Sequence, residues 1–292
     1  MGRDLYENSD VARHIYDTAS SIADVDLPEV CWGGDFARMD ETVVAQPALA
    51  AFVLSRYFDR HEKGFTPDAG EGHSAGEIAL LSMAKVLSID DAFGLLKVRS
   101  EAMLAAHKKR PGRMAYIRNL TLDEAQSAIQ HLTETGRLKI TNLNTRRQQV
   151  ISGDVDLIEK AREALQNAKS IHLADKLKKA KFRIMPIEIA AHSPYHMKPA
   201  EKPFSSALKG VKFNTPEFEI MLNNTRYLSE VGTDNLAQYL TGQLTNGVDF
   251  VGGTARLYQD GIRRFYDLGP KPTMAGLVLE DYEGQVEILG EE

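Results

Sequence analysis

Residues 71–77, Glu-Gly-His-Ser-Ala-Gly-Glu, set a serine between two glycines at nucleophile-elbow spacing, with a histidine just before it. In a GxSxG turn the serine occupies a sharp bend between a strand and a helix, where glycine tolerates the crowding on either side. The hydroxyl of Ser74 would then stand at the N-terminus of the next helix. Free N–H groups and the positive end of the helix dipole favour a developing oxyanion there. A bare GxSxG equally describes a glycine-bounded turn around a buried serine. His73 is the nearest base in sequence, but neighbours at a tight turn point in different directions. It is expected to pack or hydrogen-bond locally and support the turn.

A second histidine has a better position. In Ile-Glu-Ile-Ala-Ala-His-Ser-Pro-Tyr-His (187–196), His192 follows an apolar run read as the end of a strand. Sheet rims are where α/β folds carry functional groups. Position alone also fits a histidine satisfied in the core or at the surface. His192 and His196 are four apart, but Pro194 opposes a helix between them and no HExxH glutamate is present. No metal site is expected.

The third candidate is an arginine out of place. A helix is read from Asp90 to about Lys109, with Asp90 or Asp91 as N-cap. At 100° per residue Ala92, Leu95, Leu96, Ala102, Met103 and Ala106 share one face, and Arg99 falls in its centre. A buried guanidinium needs an anionic partner. Either it forms an internal salt bridge, with Glu188 or Asp154 as candidates, or it is a bidentate clamp for a substrate carboxylate.

The elements that position these groups follow from periodicity and punctuation. The first 25 residues read as a helix, and 45–60 as another with Pro47 near its first turn. Residues 75–87 form an apolar helix directly after the elbow. The middle then runs strand 113–117, helix 121–134 with a Thr121/Glu124 capping box, strands 138–144 and 148–154, helix 156–168 and strand 181–190. That βαββαβ order is the split-βαβ pattern of a ferredoxin-like unit. The expected organisation is α/β: a subdomain at 111–188 inserted in a larger domain made of 1–110 and 189–292. The tail reads as two helices and then short strands at Tyr-Asp-Leu-Gly-Pro and Gly-Gln-Val-Glu-Ile-Leu.

Composition narrows the class. The 292 residues are 43% apolar and 26% charged, enough to bury a sizeable core. A net charge of −6 argues against a general nucleic-acid binder. The single cysteine, Cys31, excludes an intramolecular disulfide or CxxC site and fits a reducing compartment. No apolar run approaches the roughly 18–20 residues of a membrane span. The polar, acidic N-terminus is unlike a signal peptide. A soluble cytoplasmic protein is expected.

With Ser74, Arg99 and His192 assembled, the chain resembles the malonyl-CoA:acyl carrier protein transacylases, including the acyltransferase domains of polyketide synthases. The stretches that carry the likeness are MGRDLYE, ETVVAQPALAA, GHSAGE, VRSEAM, NLNTRRQQVISGD, AAHSPYHMKPA, GQLTNGVDF and DLGPKP, in the family's order across nearly the whole chain. GHSxGE followed by the arginine and then HSP is far more specific than GxSxG alone. The resemblance implies an α/β-hydrolase-like acyltransferase domain with a ferredoxin-like insert. It also implies a ping-pong mechanism for fatty acid or polyketide synthesis, in which Ser74 takes a malonyl group from malonyl-CoA and passes it to the pantetheine thiol of an acyl carrier protein. His192 would be the base, oriented by a backbone carbonyl in the stretch around Gln243 and Asn246. Arg99 would hold the malonyl carboxylate, Met103 line the pocket, Gln148 lie near the site, and the amide of Ala75 be one oxyanion donor. No cofactor is implied beyond malonyl-CoA as substrate.

Departures from the family pattern accompany the likeness. The family begins with a strand and a GQGSQ-type loop ahead of the MGRDLYE-like stretch, and the loop supplies the second oxyanion amide. Neither is in these 292 residues, and the expectation is that Met1 is an internal methionine of a longer natural protein. Glu71 stands where a small or apolar residue is usual, Asn-Thr-Arg-Arg-Gln-Gln adds Arg146 and Arg147, and GPKP replaces GPG. Ala-Ala-His precedes the histidine where malonyl-selective polyketide domains tend to have Phe and methylmalonyl-selective ones Ser, which leaves extender-unit selectivity open. Two basic runs, 107–113 and 176–183, could dock an acidic carrier protein or coenzyme A phosphates, or form a solvated basic face. Two other functions are weighed: an acyl hydrolase on the same scaffold, which would not need Arg99, and a non-catalytic carrier-protein-binding relic.

Overall fold

The computed structural model describes residues 1–167 and 180–290. Two short helices open the chain, α1 (Arg3–Asn8) and α2 (Asp10–Ala23), where one was expected. The break is Ser9, extended, whose hydroxyl caps α2 by accepting from the Ala12 amide at 3.4 Å. Helix α3 (Thr42–Glu62) begins three residues before the expected start, so Pro47 lies in its second turn. There it forgoes one intrahelical hydrogen bond, a loss the buried packing of α3 outweighs. Strand β1 (Ala69–Glu71) leads into the elbow, and α4 (Ala75–Met83) leaves it. Helix α5 (Ile89–Lys109) is capped by Ser88, which accepts from the Asp91 amide, and not by Asp90 or Asp91.

The middle of the chain forms β2 (Arg113–Arg118), α6 (Leu122–Thr133), β3 (Leu138–Thr145), β4 (Gln148–Gly153), α7 (Val155–Asn167) and β5 (Lys181–Ile184). Both halves of the Thr121/Glu124 capping box are made. The strands are antiparallel in the order β5-β2-β4-β3, as a ferredoxin-like unit requires. Alternation along the strands divides the core. Ala115, Ile117 and Ile151 pack with Ala125 and Ile129 of α6 and Ile158 and Ala161 of α7. Met114 and Val150 face the other way, into the main core with α4 and α5. A fifth strand, β7 (Val248–Asp249), joins the edge of β3 in parallel, so the sheet extends past the 111–188 segment.

The expected strand at 181–190 stops at Ile184. Pro186 has no N–H to donate, and after one last backbone bond from Met185 to Met114 the chain leaves the sheet. His192 therefore sits in a loop just ahead of α8 (Pro194–Leu208), not at a strand end. Beyond it come β6 (Glu219–Met221), α9 (Leu228–Val231), α10 (Leu236–Asn246), α11 (Phe250–Gln259), β8 (Arg264–Phe265), α12 (Thr273–Tyr282) and β9 (Glu287–Ile288). The expected strand at Tyr-Asp-Leu-Gly-Pro is a loop following β8. β1 pairs in parallel with β6, and β8 with β9. A cleft of about 480 Å³ is lined by residues of both pairs, with Tyr57, Phe65, Phe218 and Leu257 among its walls. Among the described residues no helix is long and apolar enough to cross a membrane.

Glu71, at the end of β1, reaches this cleft. One carboxyl oxygen accepts from Thr254 Oγ1 at 3.0 Å, and the other is buried without a partner. Burial raises its pKa well above the usual carboxylate value. A folded-state pKa above the unfolded one means that stability is lost as pH rises past the unfolded value. Glu71→Gln is therefore expected to raise Tm by about 2–4 °C at pH 8 and by less at pH 5. Thermal melts across that range check it, and an equal or larger gain at pH 5 would contradict it.

Candidate active site

The elbow forms as its residue types demand. Ser74 has φ 54° and ψ −114°, a strained conformation that turns its side chain up between β1 and α4. Gly72 is required: a Cβ there would lie 2.6 Å from the Glu77 amide and from the Gly76 backbone. Gly76 is not, because a Cβ there would meet open space. The crowding expected on both sides of the serine thus exists on one. The Ala75 amide, first of α4, has no protein acceptor among the described residues and faces no competitor for an oxyanion.

Three residues distant in sequence meet at the hydroxyl. His192 Nε2 is 2.8 Å from Ser74 Oγ, and Arg99 Nη2 is 3.0 Å from the same oxygen. The main-chain carbonyl of Gln243 lies 2.9 Å from His192 Nδ1. A carbonyl only accepts, so Nδ1 carries the proton and Nε2 is left to accept from Ser74. His192 is 2% exposed, and burial, with Arg99 nearby, pushes its pKa down to about 3. The ring is therefore neutral, a base at any ordinary pH. His192 has φ 61°, a left-handed backbone that costs a non-glycine residue about 1–2 kcal/mol.

That strained turn is held by a row of buried polar groups. Ser193 Oγ meets His196 Nδ1 at 2.8 Å, and His196 Nε2 meets Asp154 Oδ1 at 2.9 Å. Asp154 also pairs with Arg137. Ser193 and His196 have no exposed surface, and neither hydrogen-bonds to Ser74. This second Ser-His-Asp row fastens the turn carrying His192 to the end of β4.

Arg99 is 1% exposed and makes neither of the candidate salt bridges. Glu188 pairs with Arg113, and Asp154 with Arg137 and His196. The hydrogen-bond partners of Arg99 are all neutral: Gln46 Oε1 at 2.7 Å, Gln243 Oε1 at 3.1 Å and Ser74 Oγ. Burial lowers its pKa to about 10, so it stays charged, and Glu77 is the acidic group that favours the charge. Met103, one turn further along α5, is buried with its sulfur 3.8 Å from Gln46 Nε2.

The other expected site residues lie further out. Gln148 opens β4 and is buried, with no hydrogen bond to Ser74, Arg99 or His192. Asn246 lines a cavity of about 880 Å³ with a mixed polar and apolar wall, and the histidine's carbonyl partner is Gln243 alone. His73 turns aside: its Nε2 meets Asn144 Oδ1 at 3.0 Å and its ring packs near Phe250. Asn223, Gln46, Glu77 and Tyr239 were not singled out from sequence. Asn223 Oδ1 accepts from the Ser74 amide at 2.8 Å and holds the elbow. The only signal in Asn223 was a polar Asn-Asn pair after an apolar strand, which is common in turns. Among the described residues no cluster of His, Cys, Asp and Glu could hold a metal ion.

The fold and the Ser-His-Arg site define a serine acyltransferase with an α/β-hydrolase-like domain and a ferredoxin-like insert. The family model for the acyl transferase domain matches residues 1–290, and the chain belongs to that family. The chain is 30% identical over 285 residues to the malonyl CoA-acyl carrier protein transacylase of Bacillus subtilis, covering 95% of this chain and 84% of that protein. It is 29% identical over 282 residues to the enzyme of that name from Staphylococcus aureus strain MRSA252, covering 95% and 86%. Among solved structures, MCAT from Streptococcus pneumoniae superposes with a TM-score of 0.86 at 26% identity, over 99% of this chain and 90% of that one.

Because burial holds His192 neutral, its imidazole is expected to remain the Nδ1–H tautomer at pH 5. Imidazole ¹⁵N NMR on the folded protein checks this. A ring titrating near the ordinary value of about 6.5 would contradict it.

Proposed function

We propose that this chain transfers a malonyl group from coenzyme A to the phosphopantetheine thiol of an acyl carrier protein, for fatty acid or polyketide synthesis. The observation that carries the reading is Arg99, a buried charge beside the serine hydroxyl whose direct partners are all neutral. A malonyl carboxylate supplies the missing anion at the place where the acyl group must sit. The similarity to malonyl CoA-acyl carrier protein transacylases over nearly the whole chain supports the same substrate pair.

In the first half-reaction Ser74 Oγ gives its proton to His192 Nε2 and attacks the thioester carbonyl. The Ala75 amide donates to the oxyanion. Collapse breaks the carbon–sulfur bond, the coenzyme A thiolate takes the proton from His192, and malonyl-Ser74 remains. In the second half the pantetheine thiol gives its proton to His192, the thiolate attacks the acyl-serine, and Ser74 leaves with that proton. The Gln243 carbonyl stabilises the imidazolium formed at each stage. Arg99 holds the carboxylate throughout, with Met103 against the acyl chain. Every step is assigned to side-chain and main-chain groups of the chain, to malonyl-CoA and to the pantetheine thiol, and needs no further cofactor. We place the enzyme in the cytoplasm, where the lone buried thiol of Cys31 stays reduced. For the organisation of the chain we propose 1–110 with 189–292 as the large domain and 111–188 as the insert. The separate apolar cluster between the insert's sheet and α6 and α7 supports this.

Of the basic runs, 107–113 ends α5 and includes exposed Lys108 and Lys109, while 176–179 lies outside the described residues. We assign Lys108 and Lys109 to docking the acidic carrier protein. Lys108→Glu with Lys109→Glu is expected to raise KM for carrier protein about tenfold at low salt and leave loading from malonyl-CoA intact. Separate kinetics of the two half-reactions measure this, and an unchanged KM would remove the assignment.

Arg99→Ala tests the central reading. Intact-mass analysis with malonyl-, methylmalonyl- and acetyl-CoA is expected to show malonyl-Ser74 in the wild type. In the variant, malonyl loading should fall by about 10²-fold or more while acetyl loading is kept or increased. An equal loss for both acyl groups would make Arg99 structural. Rapid release of free malonate without transfer would favour a hydrolase instead.

A further inference from the structure

Glu77, one turn beyond Ser74 in α4, has no exposed surface, and no step above uses it. Its two carboxyl oxygens are engaged differently. Oε1 accepts three hydrogen bonds: from the Asn223 amide at 2.8 Å, Asn223 Nδ2 at 3.2 Å and the Tyr239 hydroxyl at 2.7 Å. Oε2 accepts from Gln243 Nε2. The other end of the same side-chain amide, Gln243 Oε1, accepts from Arg99 Nη2. The amide is thus strung between a buried anion and a buried cation.

We propose that Glu77 is a positioning residue that sets acyl selectivity: it fixes the polarity of the Gln243 side-chain amide, which in turn aims the Arg99 fork at the acyl pocket. This rests on the functional reading above. An amide has one accepting end and one donating end, so a single orientation satisfies both charges. Gln243 Nε2 also donates to the Ser74 carbonyl at 3.1 Å, so a neutral carboxyl removes the charged anchor of this orientation and leaves only that neutral one. Oε1 already accepts from three donors, so a proton on Glu77, or the NH₂ of a glutamine in its place, is favoured at the Oε2 position. There it faces the Gln243 NH₂, donor against donor. Relief comes from turning the Gln243 amide over, which gives up its bond to the Ser74 carbonyl, points its NH₂ at Arg99 and displaces the fork. His192 is spared, because its partner is the Gln243 main-chain carbonyl, which does not turn with the side chain.

The ionisable groups around Glu77 are Arg99 on α5, Tyr239 on α10 and Glu71 at the end of β1. Burial raises the Glu77 pKa to about 7, against the opposing hydrogen bonds and Arg99. Ionised Glu77 is therefore lost as pH falls through about 7, and malonyl loading should fall with it more steeply than acetyl loading.

The test measures Ser74 loading rates from malonyl-CoA and acetyl-CoA by intact mass, in wild type, Glu77→Gln and Tyr239→Phe, from pH 5.5 to 8.5. In Glu77→Gln the malonyl-to-acetyl ratio is expected to drop by about tenfold or more, the scale of a charge-assisted contact. Tyr239→Phe removes one donor from Oε1 and should move the acid limb of malonyl loading to higher pH, with no matching move for acetyl. A purely structural Glu77 predicts equal losses for both acyl groups, and that result overturns the inference. Should Glu77→Gln not fold, the Tyr239→Phe profile decides alone: an unmoved malonyl limb overturns the inference. A wild type that loads acetyl but not malonyl overturns the functional reading and this inference with it. A malonyl-preferring wild type beside an unchanged ratio in folded Glu77→Gln overturns this inference alone.

Discussion

The site depends on one electrostatic constraint: a guanidinium buried in the middle of an apolar helix face with no carboxylate touching it. Arg99 is held by the neutral oxygens of Gln46, Gln243 and Ser74, and its nearest balancing anion, Glu77, stands one amide away. A directly paired arginine would be more stable and less useful, because its fork would already be filled. Placing the counter-charge one residue off keeps Arg99 ionised while leaving it short of an anion. The polar residues gathered around α4 and α10 serve that arrangement, and Asn223 joins it to the elbow.

Two of the six non-glycine residues with positive φ among the described residues meet at the same place. Ser74 and His192 both have positive φ, and they come from segments 118 residues apart. Each turn is over-determined by buried hydrogen bonds: Asn223 behind the serine, and the Ser193–His196–Asp154 row behind the histidine. Strain persists only where the surroundings leave the chain no alternative. Asp154 and Arg137 come from the ferredoxin-like segment, so that segment fastens the base as well as forming one wall of the molecule.

Much of the fold was legible in the sequence. The βαββαβ order, the Thr121/Glu124 cap and the apolar helix after the elbow rest on local periodicity and capping, which the chain carries within ten or so residues. The errors also have local causes. Val-Asp-Leu and Lys-Phe-Arg-Ile were placed to within a residue or so, but Met-Pro-Ile-Glu-Ile-Ala was read as strand because its apolar content outweighed Pro186. Ser88 was passed over as a cap because two aspartates follow it. Tyr-Asp-Leu-Gly-Pro had strand composition but, among the described residues, no strand beside it to pair with.

For the proposed chemistry, the sequence by itself singled out the candidate nucleophile, arginine and base: Ser74 by its elbow, Arg99 by its place on an apolar face, His192 by the HSP stretch and the family likeness. It did so because those signals are residue type and spacing along one chain. Only the tertiary structure decided what those groups touch. That Arg99 has no carboxylate partner, that the Gln243 carbonyl rather than Asn246 meets His192, and that Glu77 accepts from the far side of the Gln243 amide are contacts between residues from 25 to 166 apart. Hydrogen-bond direction and burial arise from packing in space, and no local pattern of residues encodes them.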